Sequence, residues 1–416
     1  MNPAVLSLLL VIPFLLGADE FSVKKFGAKG DGKTDDTEAI QAAANAAHKR
    51  TRVFRKMGNQ PASSAFGTGQ TVTFPPGVYK VTKTIRFSGY VSVAGTDGSA
   101  MIQWHGEDHG TIFDIRSFRN RVEKLIFAGG GTHLRIGNKN IDKTMVTIRD
   151  CQFFYADKIA VLLEPAQGAN HLSEQTLIEG CLFSKNYQCV QNFGDLMEIR
   201  NCWVDQTQPQ MADGAAFINR YGTMRIAFCC LTPSANPDKG PLYYHNARWV
   251  DNYGRFEAES VRFGGEGGGL PAVYSYGKVA AKHPWSGGGR ILIRNSLIAC
   301  GQMARENGGV IRLFALPSQI VLENNYEMTV VPFIVLDPSL DVEAEIKKNP
   351  RGTSMARYHI FNNRMSNPAV NAVPVELKRF FTKESDCKFA EIKARPIPAE
   401  ITRSKKAESP RSRKGK

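Results

Sequence analysis

A chain of 416 residues with 42% hydrophobic and 22% charged residues has enough apolar mass for an extended core, which excludes a mainly disordered polymer. Its net charge is +14, of which Arg403 to Lys416 carry +6 and leave +8 for the body. That charge suits an anionic partner, but no nucleic-acid-binding motif accompanies it, so nucleic acid is not expected.

In chain order, the first feature is an apolar run from Ala4 to Leu16, broken only by Ser7 and Pro13 and followed by the small pair Gly17-Ala18. It is short for a membrane span and suits a signal peptide over residues 1–18. No Lys or Arg precedes the run, and a buried N-terminal helix is the alternative. No later stretch is long and apolar enough to span a bilayer. The expectation is a secreted or periplasmic protein with no membrane contact after signal cleavage.

Next comes Phe21-Ser-Val-Lys-Lys-Phe-Gly-Ala-Lys-Gly-Asp-Gly-Lys-Thr-Asp-Asp-Thr-Glu-Ala-Ile-Gln-Ala-Ala43. It reads as a strand from Phe21 to Phe26, then a glycine-rich turn at Gly27, Gly30 and Gly32. Asp35 is the expected helix N-cap, with Glu38 closing a capping box. Ala39, Ile40, Ala43, Ala44 and Ala47 mark a buried helix face. Thr51 to Gly69 reads as an excursion. Thr71 to Val81 reads as a strand, a turn at Pro75 to Gly77, and a second strand.

A six-residue pattern then recurs: an aliphatic, two variable positions, a small or polar residue, one variable position and usually an apolar one. Its copies begin at Ile148, Ile178, Ile199, Ile226, Ile293, Leu322 and Ile360. Phe256-Glu-Ala-Glu259-Ser-Val261 fills the gap before Ile293, with Glu259 where a small residue belongs. The fourth positions are 21 to 38 residues apart, the size of one coil of a β-solenoid whose turns vary in length. Cys151, Cys181, Cys202 and Cys229 occupy that fourth position and should stack inside the coils, continued by Ser296, Asn325 and Asn363. A line of thiols along one axis is not a tetrahedral metal site. The fold class is therefore all-β, a single-stranded right-handed parallel β-helix with an N-terminal capping helix. It is expected over residues 19–386, with an irregular segment and a basic, solvated tail over 387–416.

The paired segments Val23 to Ala43 and Thr71 to Val81 resemble the opening of the pectate-lyase superfamily, in particular its rhamnogalacturonase/epimerase-like members. The resemblance implies a pectin-lyase-like solenoid whose first coil the helix shields. It makes Asp31, Asp35 and Asp36 structural rather than catalytic. It also implies a polysaccharide-degrading enzyme, a glycoside hydrolase or a polysaccharide lyase. The Asn-Thr-Asp, Gly-His-Gly and Arg-Ile-Lys signatures of polygalacturonases are missing, so that mechanism does not transfer.

Candidate chemistry concentrates between Asp205 and Glu266. A hydrolase would draw its two carboxyl groups from Asp213, Asp251, Glu257, Glu259 and Glu266. A lyase would take a base and a carboxylate-neutralising cation from Arg220, Tyr244, His245 and Arg255, with Lys239 nearby. Tyr221, Tyr243, Trp249 and Tyr253 are the candidate sugar-stacking residues. The implied partner is a polysaccharide, with an acidic, uronate-containing one favoured by the charge. The alternative is a solenoid that binds or displays glycan without cutting it. No metal site and no cofactor is implied; calcium (Ca2+) is compatible with the acidic oxygen ligands, but no compact Asp/Asn motif calls for it.

Overall fold

A computed structural model of the chain describes residues 20–392 except 54–55, 58–59, 62–66, 117–118, 138–144, 165–174, 207–214, 234–247, 265–272, 278–288, 300–308, 328–331, 351–354 and 366–371. From Thr71 onward the chain repeats one circuit of three short strands, of which Val146–Arg149, Gln152–Phe154 and Ile159–Leu163 are an example. Each strand pairs in parallel only with its equivalents one circuit before and after. The circuits thus stack into three long faces of eleven, twelve and ten strands, called here the first, second and third. The outcome is the right-handed parallel β-helix expected from the repeat, the hand that parallel crossovers adopt.

The bend from first to second face explains the hexad. Its third residue lies in the left-handed region in successive circuits: Lys124, Asp150, Gly180, Asn201, Phe228, Ser260, Asn295, Asn324 and Asn362 have φ between 50° and 65°. Asn, Asp and Gly tolerate that conformation best, which accounts for their frequency there. The next residue turns inward. Cys151, Cys181, Cys202 and Cys229 are buried and stacked, as expected. Each thiol donates to the carbonyl two residues back at 3.2–3.3 Å. Sγ of Cys202 accepts the Cys181 N–H and Sγ of Cys229 the Cys202 N–H, both at 3.4 Å. Ser296, Asn325 and Asn363 continue the ladder, their side-chain oxygens accepting the N–H of the preceding circuit at 2.9–3.1 Å.

The copy expected at Phe256 is out of register by two residues. Ala258 pairs with Ile226 and Ile293, Ser260 is the left-handed residue, and Val261 is the inward one. Glu259 lies on the outer surface, where its carboxylate accepts from Asn295. The sixth hexad position feeds the core, where Phe127, Phe153 and Phe183 stack at 4.8–5.3 Å with His133 beside them. A second ladder closes the third face. Asn192 Nδ2 donates to Asn219 Oδ1, and Asn219 Nδ2 to Asn252 Oδ1, both at 3.0 Å and buried.

The start of the chain departs from expectation in two places. Val23–Phe26 is a 3-10 helix ended by Gly27 at φ 99°, and only Ser22 bridges to Thr73. Helix α1 (Thr37–Arg50) has Asp36, not Asp35, as its N-cap residue, and Glu38 closes no box. Asp36 accepts from the Lys29 and Gly30 backbones, Asp35 from Thr37 and Thr82, and Asp31 from Lys33 and Thr34. All three carboxylates thus fix the entry turn. Ile40, Ala43, Ala44 and Ala47 are buried as expected, and the helix packs on the strand Ile85–Ser88 at the first circuit. The excursion from Thr51 to Gly69 forms small antiparallel ladders outside the solenoid. At the far end Ala372–Pro374 pairs in parallel with Lys388–Ala390.

Two outcomes follow from this core. Cys202→Ser, which keeps both ladder bonds as Ser296 does, should change stability by less than about 1 kcal/mol. Cys202→Leu should cost about 1–3 kcal/mol through overpacking, read by urea unfolding. Burial between the phenylalanines lowers the His133 pKa from 6.5 to about 3. The unfolded chain therefore binds that proton first, and stability should decline as pH falls from 6.5 toward 3. His133→Phe should flatten that part of the stability–pH curve; an unchanged slope would assign it to other groups.

Candidate functional site

Along the outside of the third face, strand residues project once per circuit, about 4.8 Å from their equivalents in the next. The row reads Arg86, Asp114, Arg135, Leu162, Gln191, Ile218, Asp251, Tyr274, Arg312 and Val335. At its start the fully buried Asp114 is held by Arg116 at 2.6 Å and Arg135 at 2.8 Å, with Arg86 at 3.9 Å. Asp114 is therefore an organised structural anion. Further along, the outward-facing residues are covered: Asp251 is 5% exposed, Tyr274 and Arg312 each 1%.

Two residues beyond this row, where the strands end, runs a second row. Arg220 lies over the Tyr253 ring at 4.7 Å, Tyr253 stacks on Tyr276 at 4.6 Å and 11°, and Tyr276 on Phe314 at 4.6 Å and 17°. These side chains are half-buried. A cation on one end of a column of flat rings gives a continuous apolar strip with a guanidinium terminus. Asp337 ends the row and binds Arg312 through two contacts of 2.6 and 2.8 Å. Burial works against the Asp337 charge, but bonds from Ser339 and Arg312 outweigh it and hold the carboxyl below its usual range.

Of the residues expected from sequence, Arg220, Asp251 and Tyr253 come together here. Trp249 does not belong to a binding surface: it is buried, its indole N–H donating to the Gly264 carbonyl at 3.0 Å. Tyr221 is likewise buried, in the turn that leaves the third face. Arg255 and Glu257 lie on the first face, around the corner, where Glu257 approaches Arg290 at 3.6 Å. Asp213, Tyr243, Tyr244, His245 and Glu266, with Lys239, lie outside the described residues. Tyr274, Tyr276, Arg312 and Phe314 lie beyond the polar segment Asp205 to Glu266, and the sequence carries no local signal for them. Among the described residues no three His, Cys, Asp or Glu side chains converge as a metal site.

Residues 20–106 match the family described as rhamnogalacturonase A/epimerase, pectate lyase-like. Among curated proteins, alginate lyase 7 of Azotobacter vinelandii is 50% identical over 62 residues, 15% of this chain and 5% of that protein. A probable glucan endo-1,3-beta-glucosidase of Arthroderma benhamiae is 38% identical over 81 residues, 19% of this chain and 7% of that one. The chain therefore spans only a small part of either relative's length. Among solved structures, the ORF18 protein of Geobacillus virus E2 is 15% identical with a TM-score of 0.48, covering 83% of this chain and 60% of that one. The mannuronan C-5 epimerase A-module of Azotobacter vinelandii is 14% identical with a TM-score of 0.37, covering 76% and 99%. Residues 20–106 thus resemble the rhamnogalacturonase A/epimerase, pectate lyase-like family, and the three parallel faces form a β-helix.

Proposed function

We propose that the chain is an exported enzyme that cleaves a polysaccharide lying along the third face, with an acidic, uronate-bearing polymer as substrate. The observation that carries this reading is the row Arg220, Tyr253, Tyr276 and Phe314 beside Asp251 and Tyr274. Sugar rings present C–H faces that pack on aromatic planes, and a guanidinium edge pairs with a uronate carboxylate. The excess positive charge supports an acidic polymer. The short matches to an alginate lyase and a probable glucanase support polysaccharide as the class. The apolar run Ala4 to Leu16 supports export and lies outside the described residues.

Eliminative cleavage is the reaction these residue types suit. A base removes the proton next to the uronate carboxylate, a cation steadies the charge that develops, and the glycosidic C–O bond breaks as the double bond forms. Arg220, half-buried at the end of the strip, is the candidate cation. Hydrolysis would need two carboxyl groups about 5–10 Å apart. Among the described residues the central third face offers Asp251, while Asp337 is engaged by Arg312.

The test is incubation of the purified protein with alginate, polygalacturonate, glucan and other polymers, following unsaturated-uronate absorbance and reducing ends together. New absorbance with one acidic polymer is expected, and Tyr253→Ala should lower kcat/KM about tenfold, the scale of one lost stacking contact. Reducing ends without absorbance would replace elimination by hydrolysis. Silence in both signals with retained polymer binding would replace the enzyme by a glycan-binding protein.

A further inference from the structure

The first face carries a feature that the third-face site does not use. Its outer surface is mostly filled by charged side chains in axial rows: Glu123, Arg149, Glu179 and Arg200 succeed one another on neighbouring circuits. Arg149 and Arg200 both bind Glu179, at 2.8 and 2.7 Å. In the parallel row the order is Arg121, Thr147, Leu177 and Glu198. Thr147 and Leu177 are too short to fill the space between their long neighbours, and a recess of about 360 Å³ opens there.

The recess has a definite chemistry. Leu177 and Leu196 give it apolar surface. Arg119 and Arg121 stand at one end, exposed, and neither makes an ion pair among the described residues. Arg200 at the other end is already balanced by Glu179 and by Glu198 at 3.7 Å. Arg119 and Arg121, exposed and without an acidic partner among the described residues, stand beside the apolar leucine surface, which suits an anionic ligand with an apolar ring face.

We propose that this recess is a second saccharide site, taking one anionic sugar unit. Its acidic group would lie against Arg119 and Arg121, its ring against Leu177 and Leu196, and its hydroxyls against Glu198. The volume is at the small end of ligand sites, which fits one unit rather than a chain. The site shares no residue with the third face and stands whether or not that face is catalytic. It would hold a strand of polymer, or its released end, on the flank of the solenoid while the third face engages another stretch, and two such contacts on one polymer raise avidity.

Calorimetric titration of the full-length protein with glucuronate, glucose 6-sulfate, glucose and inorganic sulfate tests this. Saturable glucuronate binding is expected, with glucose at least tenfold weaker. Arg119→Asn together with Arg121→Gln should weaken glucuronate at least tenfold, in the Arg220→Ala background as well as in the unaltered protein. Asn suits position 119 because Arg119 sits at φ 61°, and both arginines are exposed, so the core is untouched. Leu177→Gln probes the apolar surface independently and should also weaken glucuronate. Glucose 6-sulfate obeying the same dependence would support the site and identify a sulfate ester as its anion. The proposal is overturned by no saturable binding of either acidic sugar or by binding indifferent to the double variant. Sulfate binding as tightly as the acidic sugars would also overturn it, as would binding lost only in Arg220→Ala.

Discussion

Everything in this molecule depends on the register of backbone hydrogen bonds between successive circuits. Within the solenoid no described strand pairs with its neighbour in sequence; each bonds only to its equivalents in the circuits before and after, so alignment is inherited circuit by circuit. A slip of one residue would turn every inward side chain outward. Two devices pin the alignment. At one corner the left-handed residue is followed by an inward Cys, Ser or Asn whose side chain accepts the N–H of the circuit before. At the end of the third face the amides of Asn192, Asn219 and Asn252 bond to each other and to nearby carbonyls. Buried amides satisfied by their stacked equivalents and by carbonyls of the next circuit penalise any other register.

That physics explains how much of the fold could be read from the sequence. The corner restricts three positions at once, an aliphatic, a left-handed residue and a small inward one, so Ile-Arg-Asn-Cys202 and Ile-Arg-Asn-Ser296 are recognisable across irregular spacing. Where the restriction relaxes, reading fails. Val261 stands in place of the small residue and Ser260 in place of the asparagine, so this copy lies two residues from its expected position. At the entry, glycine at φ 99° ended a 3-10 turn whose alternating apolar residues imitate a strand.

The site was less legible for a geometric reason. Its second row is formed by one residue just past each third-face strand, so Arg220, Tyr253, Tyr276 and Phe314 are 33, 23 and 38 residues apart with no shared local motif. Composition found the part of the row inside one polar segment and missed the rest. It also gathered Trp249 and Tyr221, since aromatic content alone does not separate a ring facing the core from one facing a groove.

The turn from third to first face decides which residues can act together. At Gly222, φ is 62°, and a Cβ would stand 2.2 Å from the Asp195 carbonyl; at Gly254 it would stand 2.4 Å from the Gly222 carbonyl. Only glycine allows so close an approach of successive turns, and the bend is therefore tight and fixed. Tyr253 and Arg255, two residues apart, consequently lie on different faces, although they looked like one cluster in the sequence. The same bend keeps the recess beside Arg121 apart from the aromatic row. Because each circuit touches only its neighbours, residues on either face can be exchanged without disturbing the other, and a solenoid built this way can carry two independent contacts with one long polymer.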